Sequence, residues 1–73
     1  MRTLQQAAIG EHVLVKRVHG EGALKRRIMD MGVTRGIRIC VRKVAPLGDP
    51  LELTVRGYAL SLRLHDARQI EID

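Results

Sequence analysis

Aromatic side chains are nearly absent: there is no Trp and no Phe, and Tyr58 stands alone. A core must therefore be built from Leu, Ile, Val, Ala and Met, and base stacking on single-stranded nucleic acid lacks its usual platforms. Cysteine is as scarce. Cys40 is the only one, which excludes an internal disulfide and fits a reducing compartment. No uncharged run approaches the roughly 20 apolar residues of a membrane helix. No apolar stretch of a signal peptide separates Arg2 from Glu11. A cytosolic protein without direct membrane insertion is expected. Catalytic signatures are missing too: there is no GxSxG, HExxH or CxxC. Gly20-Glu21-Gly22 does not run into a Lys-Ser/Thr pair, so it reads as a strand-to-helix turn and not a phosphate loop.

What is present is one small domain of 73 residues. A chain of this size buries only about 60% of its unfolded surface, so a deep catalytic cleft is hard to build. A binding or accessory role without a cofactor is expected, not an enzyme. With 45% hydrophobic and 29% charged residues the chain is no disordered tail. Charge is the strongest signal: 13 Lys and Arg against 8 Asp and Glu give a formal +5. Such a balance fits nucleic acid, an anionic membrane face or an acidic protein partner, and does not choose among them.

Residues 1–11 read as a lead-in ended by Gly10. Val13 to Val18 is β-branched and reads as a first strand. Ala23 to Met31 reads as a helix, with Leu24, Ile28 and Met31 on one apolar stripe. Gly32 stands where a left-handed cap belongs, and Gly36 supplies a positive φ to the turn after it. Ile37 to Val44 is the longest predicted strand, with Ile37, Ile39 and Val41 opposite Arg38, Cys40 and Arg42. Ala45-Pro46-Leu47-Gly48-Asp49-Pro50 is a loop dense in breakers. Leu51 to Val55 alternates, Arg56-Gly57 suggests a hairpin, and Tyr58, Leu60, Leu62 and Leu64 alternate again. His65 to Arg68 reads as a helical turn, and Ile70 and Ile72 as a closing strand. About five short antiparallel strands and one short helix result. A mainly β fold, a small SH3-like barrel, resolves the edge problem best, with an OB-like barrel second.

His12, His19 and His65 lack the clustered spacing of metal ligands, so no metal site is expected. Cys40 lies between Arg38 and Arg42, where nearby cations favour the thiolate, and it also suits a small half-covered position. Lys25-Arg26-Arg27 is the densest basic run, and on a helix it spreads over the polar side.

At the helix and the two loops the residues resemble a known family. Gly22-Ala23-Leu24-Lys25-Arg26-Arg27-Ile28-Met29-Asp30-Met31-Gly32-Val33-Thr34-Arg35-Gly36 is similar to the signature of the FeoA family. So are Ala45-Pro46-Leu47-Gly48-Asp49-Pro50 and Arg56-Gly57-Tyr58-Ala59-Leu60-Ser61-Leu62-Arg63. Departures are modest: the family often has Leu at positions 28 and 33 and Pro at position 35. The resemblance implies an SH3-like barrel and a cytoplasmic accessory of ferrous iron uptake. Its partner would be FeoB, a membrane transporter with a cytosolic GTPase domain, which would hold it at the inner face of the membrane. The same module ends iron-dependent repressors. Because Met1 directly precedes the module here, a free-standing accessory is the better match.

Leu24, Ile28, Met31, Gly32, Gly36, Pro46, Gly48, Asp49, Pro50 and Gly57 are expected to be structural. Met29 falls off the apolar stripe beside Lys25 and Arg26, and Leu47 sits in a loop. Met29, Leu47, Lys25 and Arg26 are thus the expected partner-binding residues, an apolar patch rimmed by cations. Two rival functions stay open. One is a small basic nucleic-acid-binding barrel of ribosomal or regulatory type, although an accessory should show only weak, sequence-blind binding and no specific nucleic-acid partner. The other is a GTPase activator using Arg26 or Arg27 as an arginine finger. Weak self-association is compatible with each.

Overall fold

Wherever apolar and polar residues alternate over a full strand length, a strand forms. In the computed structural model, which describes residues 1–73, the strands are β1 (Arg2–Thr3), β2 (His12–Val18), β3 (Arg38–Val44), β4 (Leu51–Val55), β5 (Tyr58–Leu62) and β6 (Ile70–Ile72). They form one antiparallel sheet in the order β1-β6-β2-β3-β4-β5. Helix α1 (Gly22–Asp30) follows β2, and the short α2 (Leu64–Ala67) follows β5. The sheet does not close by strand pairing. Instead α2 packs on the 3-10 turn Leu4–Gln6 after β1, and Arg68 Nε donates to Gln5 Oε1 at 2.9 Å. A helix thus bridges the two strand edges.

The expected five strands become six because the lead-in is part of the fold. Arg2 pairs with Ile72 and Thr3 with Glu71, and Leu4 is fully buried. No alternation betrays so short a strand, and its partner lies at the other end of the chain. Leu64, expected to continue β5, is instead the first residue of α2. Its backbone N–H is capped at 2.9 Å by Asp49 Oδ1 from the β3–β4 loop.

The inner face is aliphatic. Val13, Val15, Ile39, Val41, Leu51, Leu53, Val55, Leu62, Ile70 and Ile72 are all buried. Of the apolar stripe on α1 only Ile28 is fully covered, while Leu24 and Met31 pack half-buried at its margins. A helix this short covers only one side of a narrow barrel, so the stripe's ends stay partly wet.

Two β-bulges fix the phase of the strands. Between Val15↔Ile72 and Arg17↔Glu71, β2 carries one residue more than β6. Between Val41↔Leu53 and Lys43↔Glu52, β3 carries one more than β4. Side chains alternate with a period of two, so an extra residue inverts the faces beyond it. Val18 thereby returns to the core that Val13 and Val15 share. Each bulge leaves two adjacent cations outside, Lys16-Arg17 and Arg42-Lys43.

The turns follow from backbone chemistry. Ile37 N–H donates to Thr34 O at 3.1 Å and Gly36 has φ +87°, the geometry a type II turn asks of its third residue. In the β3–β4 loop Gly48 N–H donates to Ala45 O at 2.7 Å, with Pro46 and Leu47 at the corner and a cis Asp49–Pro50 bond after it. Arg56 (φ 51°) and Gly57 (φ 83°) form a two-residue hairpin turn of the mirror-image kind, which needs positive φ at both positions.

Candidate functional site

The outward side of α1 faces the bulged end of β2. Lys25 and Met29, one helical turn apart, meet Lys16, Arg17 and Val18 there. Arg35, from the turn before β3, and Glu71, from β6, complete a shallow groove of about 400 Å³. The bulge builds this wall. A regular strand would send Lys16 and Arg17 to opposite faces, whereas here both are exposed and line the same depression. Its apolar floor is Val18 and Met29, and Met29 is 42% exposed.

The groove is strongly cationic. Lys16 Nζ approaches Glu71 Oε2 only at 4.0 Å. Arg17, Lys25 and Arg35 form no ion pair within the chain. Glu71 is the one carboxylate. Its Oε1 lies 2.8 Å from His19 Nε2, and this hydrogen bond, followed by the nearby charges of Lys16 and Arg17, holds it below the usual carboxylate range. Glu71 is therefore ionised at neutral pH and already engaged by His19.

Of the four residues expected to bind a partner, Met29 and Lys25 share this groove. Arg26 lies on the adjacent face of α1 with Gly22, Ala23 and Asp30. Leu47 is 96% exposed at the corner of the β3–β4 turn. The register places it beyond the far end of β3, whereas Lys16–Val18 run past the start of that strand. Leu47 and Met29 thus stand at opposite ends of the β2–β3 ladder, and no continuous apolar patch joins them. Lys16, Arg17, Val18, Arg35 and Glu71 were not foreseen. Of these five, only the dibasic Lys16-Arg17 leaves a trace in the sequence, by interrupting an alternating strand.

Arg27 is committed elsewhere. Its Nη2 donates to Asp66 Oδ1 at 2.7 Å, and Asp66 is the one buried ionisable side chain, 4% exposed. This pair ties α1 to α2 and engages one nitrogen of Arg27 within the chain. Tyr58, the single aromatic, is engaged as well: its hydroxyl donates to Met31 O at 2.8 Å. His12 and His65 are exposed, and no three His, Cys, Asp or Glu side chains converge. No helix is long and apolar enough to cross a membrane.

A second ionic cluster lies across the sheet edge. Arg2 Nη2 donates to both Glu11 carboxylate oxygens, at 2.5 and 2.6 Å, and Ala8 N–H donates to Glu11 at 2.9 Å. The Arg2 hydrogen bond, then the Ala8 amide, pulls the Glu11 carboxyl below its ordinary range. These groups brace the lead-in.

Comparison with known proteins places this architecture. Residues 2–73 match the model of the FeoA domain family. A fusion of Fe(2+) transport protein A with the Fe(2+) transporter FeoB, from Porphyromonas gingivalis, is 37% identical over 70 residues. The match takes in 96% of this chain but only 8% of that protein's length. The NMR structure of a FeoA-like protein from Clostridium acetobutylicum is 41% identical and superposes with a TM-score of 0.91, covering 97% of this chain and 83% of that one. The crystal structure of Stenotrophomonas maltophilia FeoA, described as a prokaryotic SH3 domain protein, shares the fold at 23% identity and a TM-score of 0.87, covering 100% of this chain and 91% of that one. The chain therefore belongs to the FeoA domain family and has its SH3-like fold.

Proposed function

We propose that this protein is a non-enzymatic accessory of ferrous iron uptake that docks on the cytosolic side of a FeoB-type GTPase-transporter. The observation that carries the reading is the Porphyromonas gingivalis protein, in which a relative of nearly this whole chain is covalently part of the transporter. A covalent link fixes a high effective concentration between two modules, which is useful where they must touch. The protein would then be cytosolic and peripheral to the membrane through its partner. It would assemble or regulate the transporter without cofactor or catalysis.

The competing reading as a nucleic-acid binder has the basic surface in its favour but lacks stacking faces, since Tyr58 is bound to the end of α1. The experiment is capture of a detergent-solubilised FeoB-type transporter from the same cells by the tagged chain. Retention at physiological salt is expected. Failure to retain it, together with submicromolar binding of a defined RNA, would replace this reading by the other.

A further inference from the structure

The geometry points to the groove between α1 and the β2 bulge as the docking site for an acidic, extended protein segment that carries one large apolar side chain. This inference rests on the transporter-docking reading and names the chemistry of the contact. Four cationic side chains, Lys16, Arg17, Lys25 and Arg35, surround the half-exposed Met29. Three of them have no acidic partner in the chain, and the fourth has only a distant one. Uncompensated like charges around a depression attract carboxylates and steer their approach.

The floor selects among anions. Methionine is flexible and polarisable, and it adapts to an inserted aliphatic side chain. A phosphate backbone would leave that floor unused, and bases would find no aromatic face beside it. A flat lipid surface cannot follow a concave wall. An acidic peptide with an apolar anchor uses both parts of the groove. Glu71 sets the affinity from within: it is the single negative group in the wall, and it competes for Lys16.

The test uses a fluorescent synthetic peptide of Asp and Glu with one central Leu. Its controls are the same peptide with Ser in place of Leu and a short single-stranded RNA. Binding is read by anisotropy at physiological salt and by the shift of the Met29 methyl resonance. The Leu peptide should move the Met29 signal, and the Ser peptide should bind several-fold more weakly. Lys25→Glu with Arg35→Glu should weaken binding by about tenfold or more, as expected when two contacts at an ionic interface are reversed. Arg38→Glu with Arg56→Glu, the same change in net charge outside the groove, should have little effect. Glu71→Gln should tighten binding. Equal weakening by both charge reversals, a silent Met29 methyl, or tighter binding of the RNA would overturn the inference. A second arm separates it from the docking reading. If the transporter is captured equally by wild type and by the Lys25→Glu, Arg35→Glu variant, the groove is not the site while docking stands. If the peptide binds the groove but neither protein captures the transporter, the docking reading falls and the groove's specificity stands.

Discussion

Tyr58 occupies the space that a side chain at position 32 would need: a β-carbon built on Gly32 collides with the Tyr58 hydroxyl oxygen. The same hydroxyl donates to Met31 O, one of the carbonyls that a helix end leaves unpaired. The only aromatic residue therefore serves as a latch between the first residue of β5 and the end of α1, and it requires glycine beneath it. Gly32 also has φ +97°, where an alanine is strained by about 1–2 kcal/mol before any collision.

Gly32→Ala should thus destabilise the protein by more than that conformational strain alone. Tyr58→Phe should cost about 0.5–1.5 kcal/mol through the lost hydrogen bond. In the double variant the collision is relieved, so the two effects should fall short of their sum by at least about 0.5 kcal/mol. Chemical denaturation of the four proteins checks this, and simple additivity would show that the latch is not tight.

The Arg27–Asp66 pair separates stability from docking. Arg27→Ala strands a buried carboxylate and should cost about 1–3 kcal/mol, the penalty for leaving a buried polar group without its partner. Arg26→Ala should change stability by no more than about 0.5 kcal/mol, as for other free surface positions. Transporter capture by folded Arg27→Ala should equal that of wild type. Lost capture without lost stability would return Arg27 to a functional role.

Asp49 and Leu47 share a loop but not a purpose. Asp49→Ala removes the cap of α2 and should cost about 0.5–2 kcal/mol. Leu47→Asp should leave the thermal midpoint close to wild type, because the side chain is almost fully exposed. Met29→Asp should also keep the fold yet lose the transporter, whereas Ile28→Asp should unfold the domain by burying an unpaired charge.

Acid sensitivity is expected from Glu11 and Glu71. Both carboxyls titrate below their ordinary values in the folded protein, Glu11 through Arg2 and Ala8, Glu71 through His19. A depressed pKa contributes stability above the unfolded value of about 4.3, and the contribution disappears as pH falls through the folded value. Stability should therefore be level near neutrality and decline below about pH 4. Glu11→Gln should be less stable at pH 6 but lose less on acidification to pH 3. Parallel declines for variant and wild type would show that the Arg2 contact carries no such linkage.

How far the sequence disclosed this molecule depends on the range of the interactions. The β2, β3, β4 and β5 cores, α1 and the positive-φ glycines at 32, 36 and 57 follow from local periodicity and backbone strain, and all were legible. Leu4 was not. It is buried only because β1 pairs with β6 at the opposite end of the chain. The groove was half legible: Lys25 and Met29 share a helical face by spacing alone. Arg17 and Glu71 meet through the β2–β6 register, and a bulge sets that register. A one-residue phase slip leaves no trace in an alternation count beyond two neighbouring cations where one was expected. The separation of Leu47 from Met29 has the same origin, since exposure is legible locally and position along the ladder is not.

The Asp49 cap has a kinetic consequence. The β4–β5 hairpin is closed at one end by the Arg56-Gly57 turn and at the other by the Asp49–Leu64 hydrogen bond, so its connections are all short in sequence. Short closures cost little chain entropy, and hairpins assemble in about 1–10 μs. The β1–β6 pairing must instead join Arg2 to Ile72, nearly the whole chain apart. Residues 51–64 should therefore acquire amide protection early in refolding, while the ends of the chain zip up last. That order leaves the β1–β6 edge the first to open in the native protein, and it makes the lead-in the element whose exchange rates report earliest on any loss of structure.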